Sequence, residues 1–288
     1  MNSKPPKFNP LGLGYIQDKP DDRDLLSHDA KSRSGLFGAT PTVVVPASMM
    51  QFRKGALYQG QAGSCVAHAL ARAVDMCARA ELAVKNSKQE PPKMSRRYAY
   101  FNARQQENVD AIQSGQPMPK MTDAGCMPRL AMRAIQKLGF CDEVVFPYTD
   151  DPRAINEVPP PLAFKEAYDQ IGFRYSRPLL HPVAECARAL AMQKPFIFGM
   201  FVDTPFMNNG GDIIRSVNTR DPDGGGHMLC GLEITANEVI FDNWWCPPGS
   251  PSAWGSLGIG RMTHELFSSA IVTDRYIIEA APLFPEVP

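Results

Sequence analysis

The sequence predicts an α+β protein of two lobes, and three observations carry that expectation. Between Ser64 and Gly139 apolar residues recur at spacings of three and four, the period of helices with a buried face. After Pro195 the chain turns to short apolar runs, FIFGMFV, MLCGLEIT, EVIFDNWW, GIGRMT and DRYIIEAA, separated by glycine, proline or asparagine. Helices gathered in the first half and strands in the second are the pattern of α+β rather than alternating α/β architecture.

In chain order, residues 1–45 read as an N-terminal arm of proline, glycine and alternating charge, with DKPDDRD as a solvated stretch. The arm is docked or flexible; a short pro-like segment, cleaved or self-inhibitory, is the alternative. TPTVVVPASM is a short extended piece ended by Pro46. From Ser64 a helix is expected, with Val66, Leu70, Ala73, Val74 and Cys77 on one buried face. A second helix follows Ser95, a candidate N-cap, and a third covers GCMPRLAMRAIQKLGF and ends at Gly139. Then come a proline-rich link, a modest helix around Val183 to Met192, and the strands.

Thirty basic and thirty acidic residues cancel, so no overall field favours nucleic acid or an anionic membrane. No apolar run approaches the roughly 20 residues of a membrane span, and the N-terminus has no apolar core of a secretory signal. Seven widely spaced cysteines without a CxxC pair read as reduced thiols, which places the expected compartment in the cytoplasm of a bacterial or phage-infected cell.

The stretch YQGQAGSCVAHAL sets Cys65 where the helical pattern begins. Most cysteines are small buried hydrophobes, and that reading holds for Cys77, Cys126, Cys141, Cys186, Cys230 and Cys246. A thiol at a helix N-terminus beside an imidazole becomes a nucleophile instead, because both favour the thiolate. Of five histidines, His28 lies in the arm, His68 among alanines, His181 before a proline in a linker and His264 in the polar MTHEL. His227 follows three glycines at the mouth of a strand, and a hairpin turning near Ala236-Asn237 brings Asn243 to the same end. Asn243 then accepts from one ring nitrogen while the other faces the thiol. Gln59 is placed to donate to an oxyanion beside the Cys65 N–H. Asp221 and Asp223 near His227 are read as turn residues rather than metal ligands, and no metal or cofactor is expected.

These residues carry a resemblance to the papain-like (C1) cysteine peptidases, bacterial or phage type, over roughly residues 46 to 280. QGQAGSCVAHA resembles the family's QGxCGSCWAFA, GGHMLCGLEI its GHAVxxVGY, and FDNWWCPPGSPSAWGSLGIGRM its Asn-x-Trp strand and loop; MSRRYAYFNAR resembles a helix of bacterial and viral members. The departures are Val66 for the tryptophan after the cysteine, His68 for an aromatic, Ala62 for a disulfide cysteine, Trp244 for a serine and Cys246 for a glycine.

The resemblance implies a papain-like fold, with an active-site cleft between a helical lobe at about residues 60–150 and a β-barrel-like lobe at about 190–280, both in a catalytic domain of residues 46–288. It implies a cysteine endopeptidase with Cys65 as nucleophile, His227 as base, Asn243 as its orienting partner and Gln59 as oxyanion donor. The substrate, an extended polypeptide, would meet Gly63, Ser64, Gly125, Gly226, Met228 and Trp245. Two alternatives stay open. One is a weak or inactive papain-like binding or assembly protein, and the other an isopeptide-cleaving or transamidating enzyme on the same triad.

Overall fold

A computed structural model describes residues 12–21, 24, 26, 45–117, 120–169, 172–178, 181–247 and 254–280. His28 and most of the TPTVVV stretch lie outside them. Helix α1 (Cys65–Val84) runs through the middle of the molecule, and every residue from Cys65 to Val74 is buried. The periodicity predicted one buried face; the alternating alanines at 67, 69, 71 and 73 let neighbours close in all round. Two polar side chains are therefore caught inside and need internal partners. Arg72 donates to the Lys54 and Gly55 carbonyls and stands 2.6 Å from the Asp242 carboxylate, which also pairs with Arg53 at 2.8 Å.

Helices α2 (Arg96–Gln113) and α3 (Pro128–Leu138) pack on one another. Ser95 caps α2 by accepting from the Tyr98 N–H at 3.1 Å, and Gly139, at φ 69°, ends α3 where a side chain would be strained. The proline-rich link holds a helix not foreseen from the sequence, α4 (Pro161–Tyr168). Its proline occupies the first turn, where the missing N–H costs nothing. Helix α5 (Pro182–Ala191) closes the first half.

The strands, most of them after α5, form one eight-stranded sheet: β1 (Ala47–Ser48), β2 (Arg174–Ser176), β3 (Phe196–Val202), β4 (Ile213–Ile214), β5 (Gly225–Ile234), β6 (Glu238–Asp242), β7 (Ile259–Thr263) and β8 (Val272–Ala280). Its order is β2-β8-β3-β5-β6-β7-β4, with β1 joined to β5. All pairings are antiparallel except β4 with β7. Strand β1 begins directly after Pro46; the extended piece expected before the proline lies almost wholly outside the described residues. Short helices α6 (Thr204–Met207) and α7 (His264–Ser268) interrupt the strands. Phe198 meets Phe241 and Phe267 edge-on at centroid distances of 5.7 and 5.2 Å; truncating such a ring to alanine costs about 3–5 kcal/mol. Helix α1 packs against β5, joining the helical half to the sheet half.

The arm is not a solvated run. The Asp18 carboxylate, 6% exposed, accepts from the Arg129 N–H at the start of α3 and from the Tyr276 hydroxyl on β8. Its own N–H donates to Asp274 at 2.8 Å. Asp24 pairs with Arg129 at 2.6 Å and Arg177 at 2.9 Å. Asp18 and Asp24, the first and last residues of DKPDDRD, thus latch this segment to both halves.

Candidate active site

Cys65 stands at the first position of α1, where backbone N–H groups without helical partners point at the thiol. Hydrogen bonds from the Met228, Gly14, Val66 and Cys65 backbone favour its thiolate, but complete burial outweighs them and pushes the thiol up to about 11. The helix start predicted from sequence is present, yet its electrostatic help is overridden while the site is closed.

His227 lies on β5 one residue before Met228, whose backbone touches that thiol. The β5–β6 register pairs Cys230 with Asp242, so Asn243, just past β6, sits diagonally across from His227. Asn243 Oδ1 is 2.7 Å from His227 Nε2 and accepts the Trp244 backbone N–H at 2.7 Å. That backbone donor fixes which end of the amide is oxygen. Nε2 therefore carries the imidazole proton, and Nδ1 is left buried without a hydrogen-bond partner among the described residues. Trp245 stacks on the imidazole, centroids 4.3 Å apart at 24°. Trp244 faces inward and donates its indole N–H to the Met228 carbonyl at 2.8 Å. Burial pushes the His227 imidazole down to about 4, only partly offset by the Asn243 bond. With the site closed, burial thus opposes both the Cys65 thiolate and the His227 imidazolium.

Gln59 is buried beside the helix start, and its Nε2 donates to the Ala62 carbonyl at 2.9 Å and to the Gly12 carbonyl at 2.5 Å. The second acceptor belongs to the arm. Gly12 turns at φ 49°, and residues Gly14–Ile16 then pass between the two halves, bridged at Tyr15 to Cys126 and held from both sides. Cys126 N–H donates to the Gly14 carbonyl at 2.9 Å, Ile16 N–H to the Cys126 carbonyl at 3.2 Å, and Tyr15 N–H to the Gly226 carbonyl at 3.2 Å. The approach is so close that a Cβ on Gly14 would fall 1.9 Å from the Gly63 carbonyl oxygen, and one on Gly125 2.1 Å from the Gly14 oxygen. Of the residues expected to meet an extended chain, Gly63, Gly125 and Gly226 touch this strand. Met228 offers its backbone to the thiol, Trp245 packs on His227, and the Ser64 hydroxyl is turned away to Tyr148 at 2.7 Å.

His68 is a packed histidine, as expected. Its ring nitrogens lie 3.0 Å from the Ser64 carbonyl and 3.3 Å from the Tyr58 carbonyl, and burial lowers its basicity. Asp221 accepts from Thr204 N–H at 2.7 Å and Asp223 N–H at 3.0 Å, which makes it a turn residue. All seven cysteines are free and buried. Two positioning residues carried no sequence signal. Tyr148 donates to the Gln59 carbonyl at 2.7 Å, and Asp123 accepts from Gly63 N–H at 2.9 Å and from the Tyr100 hydroxyl at 2.5 Å.

No family model matches the chain. It is 28% identical to an uncharacterized peptidase C1-like protein of Acanthamoeba polyphaga mimivirus, over 93% of this chain and 86% of that one. Among solved structures it is similar to xylellain, a cysteine protease from Xylella fastidiosa: TM-score 0.72, 24% identity, 96% of this chain and 99% of the other. It is also similar to proCathepsin B S9 from Trypanosoma congolense: TM-score 0.64, 14% identity, 95% and 87% covered. The fold is the papain-like α+β fold, and the resemblance to papain-like cysteine peptidases extends over nearly the whole chain.

Proposed function

We propose that this chain is a latent cysteine peptidase, with residues 46–288 as its catalytic domain and the N-terminal arm as a pro-like segment in its cleft. The observation that carries this reading is the hydrogen bond from His227 Nε2 to Asn243 Oδ1, which leaves Nδ1 unpartnered on the residue next to the backbone group that touches Cys65. Once the arm leaves and water enters, burial no longer opposes ionisation, and proton transfer from Cys65 to His227 Nδ1 becomes favourable. The thiolate then attacks a peptide carbonyl, and Gln59 Nε2 with the Cys65 N–H holds the oxyanion. His227 returns the proton to the leaving amine, and water hydrolyses the thioester.

The test is mass spectrometry after treatment with an epoxysuccinyl thiol inhibitor, alongside digestion of a peptide library, in the native chain, a Gly14→Val chain with the arm dislodged, and Cys65→Ala and His227→Ala variants. In the Gly14→Val chain, modification at Cys65 alone and peptide cleavage are expected, both lost when Cys65→Ala or His227→Ala is added, and both much slower in the native chain. A folded Gly14→Val chain that cuts no peptide overturns the reading. One observation favours a non-catalytic strand-binding module: with the arm docked, Cys65 and His227 are fully buried, and burial opposes ionisation of both. The Gly14→Val chain separates the two, because a binding module stays inert after the arm is displaced.

A further inference from the structure

His68 stands on α1 where the papain-like pattern has an aromatic ring, and it brings two buried ring nitrogens to that place. Nδ1 lies 3.0 Å from the Ser64 carbonyl and 3.3 Å from the Ser64 hydroxyl. Nε2 lies 3.2 Å from Arg96 Nη1 and 3.3 Å from the Tyr58 carbonyl. A guanidinium only donates, so the nitrogen facing Arg96 holds a lone pair and Nδ1 carries the proton. Burial, then the Arg96 charge, pushes the ring's basicity well below the usual histidine range, which favours this neutral form. Arg96 is held in turn by Glu143 at 2.6 Å, and the same carboxylate accepts the Tyr148 N–H at 3.0 Å.

The remaining hydrogen bonds then run in one direction. The Tyr148 hydroxyl donates its one proton to the Gln59 carbonyl at 2.7 Å, so it accepts from the Ser64 hydroxyl, also 2.7 Å away. Ser64 Oγ keeps no proton for His68, and the His68 Nδ1–H points at Ser64. Its nearer acceptor is the Ser64 carbonyl, which also receives the His68 backbone N–H at 3.1 Å. That carbonyl and the Cys65 N–H belong to one peptide group. Donors on an amide oxygen draw charge from its nitrogen and make the N–H a stronger donor.

From this we infer that His68 is a positioning residue that polarises the Ser64–Cys65 peptide, one of the two proposed oxyanion donors. Tyr148, at the far end of the same chain of hydrogen bonds, pins the backbone of the other, Gln59, whose N–H is held by the Trp244 carbonyl at 3.0 Å. A phenylalanine at position 68 fills the space and leaves the Ser64 carbonyl without its second donor. The catalytic consequence rests on the peptidase reading, whereas the hydrogen bonds themselves do not.

The test uses the full chain and two readouts. In isotope-labelled protein with the arm docked, nuclear magnetic resonance is expected to show His68 as the Nδ1–H tautomer. The Ser64 carbonyl-carbon resonance is expected to move upfield in His68→Phe and to return in His68→Asn. An asparagine can make the same bond, as Asn102 does from Nδ2 to the Tyr98 carbonyl four residues back at 2.9 Å. The second readout is peptide turnover in the Gly14→Val chain divided by the rate at which iodoacetamide alkylates Cys65, a reaction that needs a thiolate but no oxyanion. His68→Phe should lower that ratio about tenfold through kcat, with KM within about threefold, a part of the roughly 10²–10³ lost with a whole oxyanion donor. His68→Asn should restore it. Arg96→Met, which removes no atom bonded to either donor, should lower it several-fold by letting the ring proton move to Nε2 and the Tyr58 carbonyl. A ring protonated on Nε2, or a Ser64 resonance indifferent to residue 68, overturns the inference. So does a ratio that His68→Phe leaves unchanged or His68→Asn fails to restore, and the peptidase reading then stands on its own result. A Ser64 resonance that follows residue 68, in a Gly14→Val chain that cuts no peptide, upholds the polarised peptide and sinks the peptidase reading.

Discussion

The carbonyl oxygen of Gly12 lies 2.5 Å from Gln59 Nε2, so the side chain we propose as the oxyanion donor is already held by the protein's own arm. Two residues on, Gly14 covers the thiol, and four residues beyond that Asp18 anchors the strand. The cleft is occupied from the reacting atoms outward.

Dislodging the strand should therefore wake the site. Gly14→Val puts a side chain where even a Cβ falls 1.9 Å from the rigid Gly63 carbonyl. Alkylation of Cys65 is expected to rise at least tenfold, with far-UV circular dichroism unchanged. An unchanged alkylation rate would mean that the arm does not guard the thiol.

Docking should also respond to pH, in a direction set by Asp18. Burial, then the neighbouring Asp274, pushes its carboxyl up from 3.8 to about 6, against the Tyr276 hydroxyl and Arg129. A carboxyl raised on docking takes up a proton there. Docking is thus strongest below about pH 4 and weakens as pH rises through about 6. The ratio of Cys65 alkylation in the wild type to that in Asp18→Asn, taken at each pH so that thiol ionisation cancels, should climb between pH 5 and 7. A flat ratio would rule this out.

Removing the orienting amide should impair turnover more than binding. Asn243→Ala frees the imidazole to rotate and lets either nitrogen carry the proton. A fall in kcat of roughly 10- to 100-fold is expected, with KM within about threefold, since proton transfer of this kind is worth about 10²–10⁴ and the imidazole remains. An equal loss confined to KM would assign Asn243 to substrate contact instead.

The ion pair beneath the site is a stability element. Arg72, 2% exposed, is buried against Asp242 at 2.6 Å, next to Asn243 in the chain. Arg72→Ala leaves that carboxylate with Arg53 alone. Breaking one side of such a pair costs about 3–5 kcal/mol, and the surviving Arg53 contact argues for the low end. Urea unfolding should give a lower midpoint with an unchanged slope; a loss below about 1 kcal/mol would show that the pair is replaceable.

Much of the site was legible because its signals are local. The helix at Cys65 announces itself by apolar spacing, Ser95 by its capping position, and His227 with Asn243 by two strands and a short turn. The arm was not, because DKPDDRD has the composition of a solvated segment. Its partners Arg129, Arg177 and Asp274 lie more than a hundred residues away, and nothing in the patterns of their own segments ties them to it. Gly199 stood in view as a glycine in a strand, but only the folded chain reveals that Tyr15 fills the space. Helix α1 was read as one-faced because alanine counts as apolar on any face; its burial all round depends on what packs against it.

Because the strand in the cleft is continuous with the rest of the chain, it behaves as a ligand on a leash. A tethered segment meets its site at an effective concentration of roughly millimolar, so an intrinsic dissociation constant of about 10 μM keeps it seated about 99% of the time. A single break between Leu26 and Val45 would leave the contacts of Gly12, Gly14, Tyr15, Asp18 and Asp24 described above intact and change only that concentration. At about 1 μM protein the same strand would then be mostly dissociated, so one peptide bond, far from the thiol, could act as an almost irreversible switch without any conformational change in the lobes.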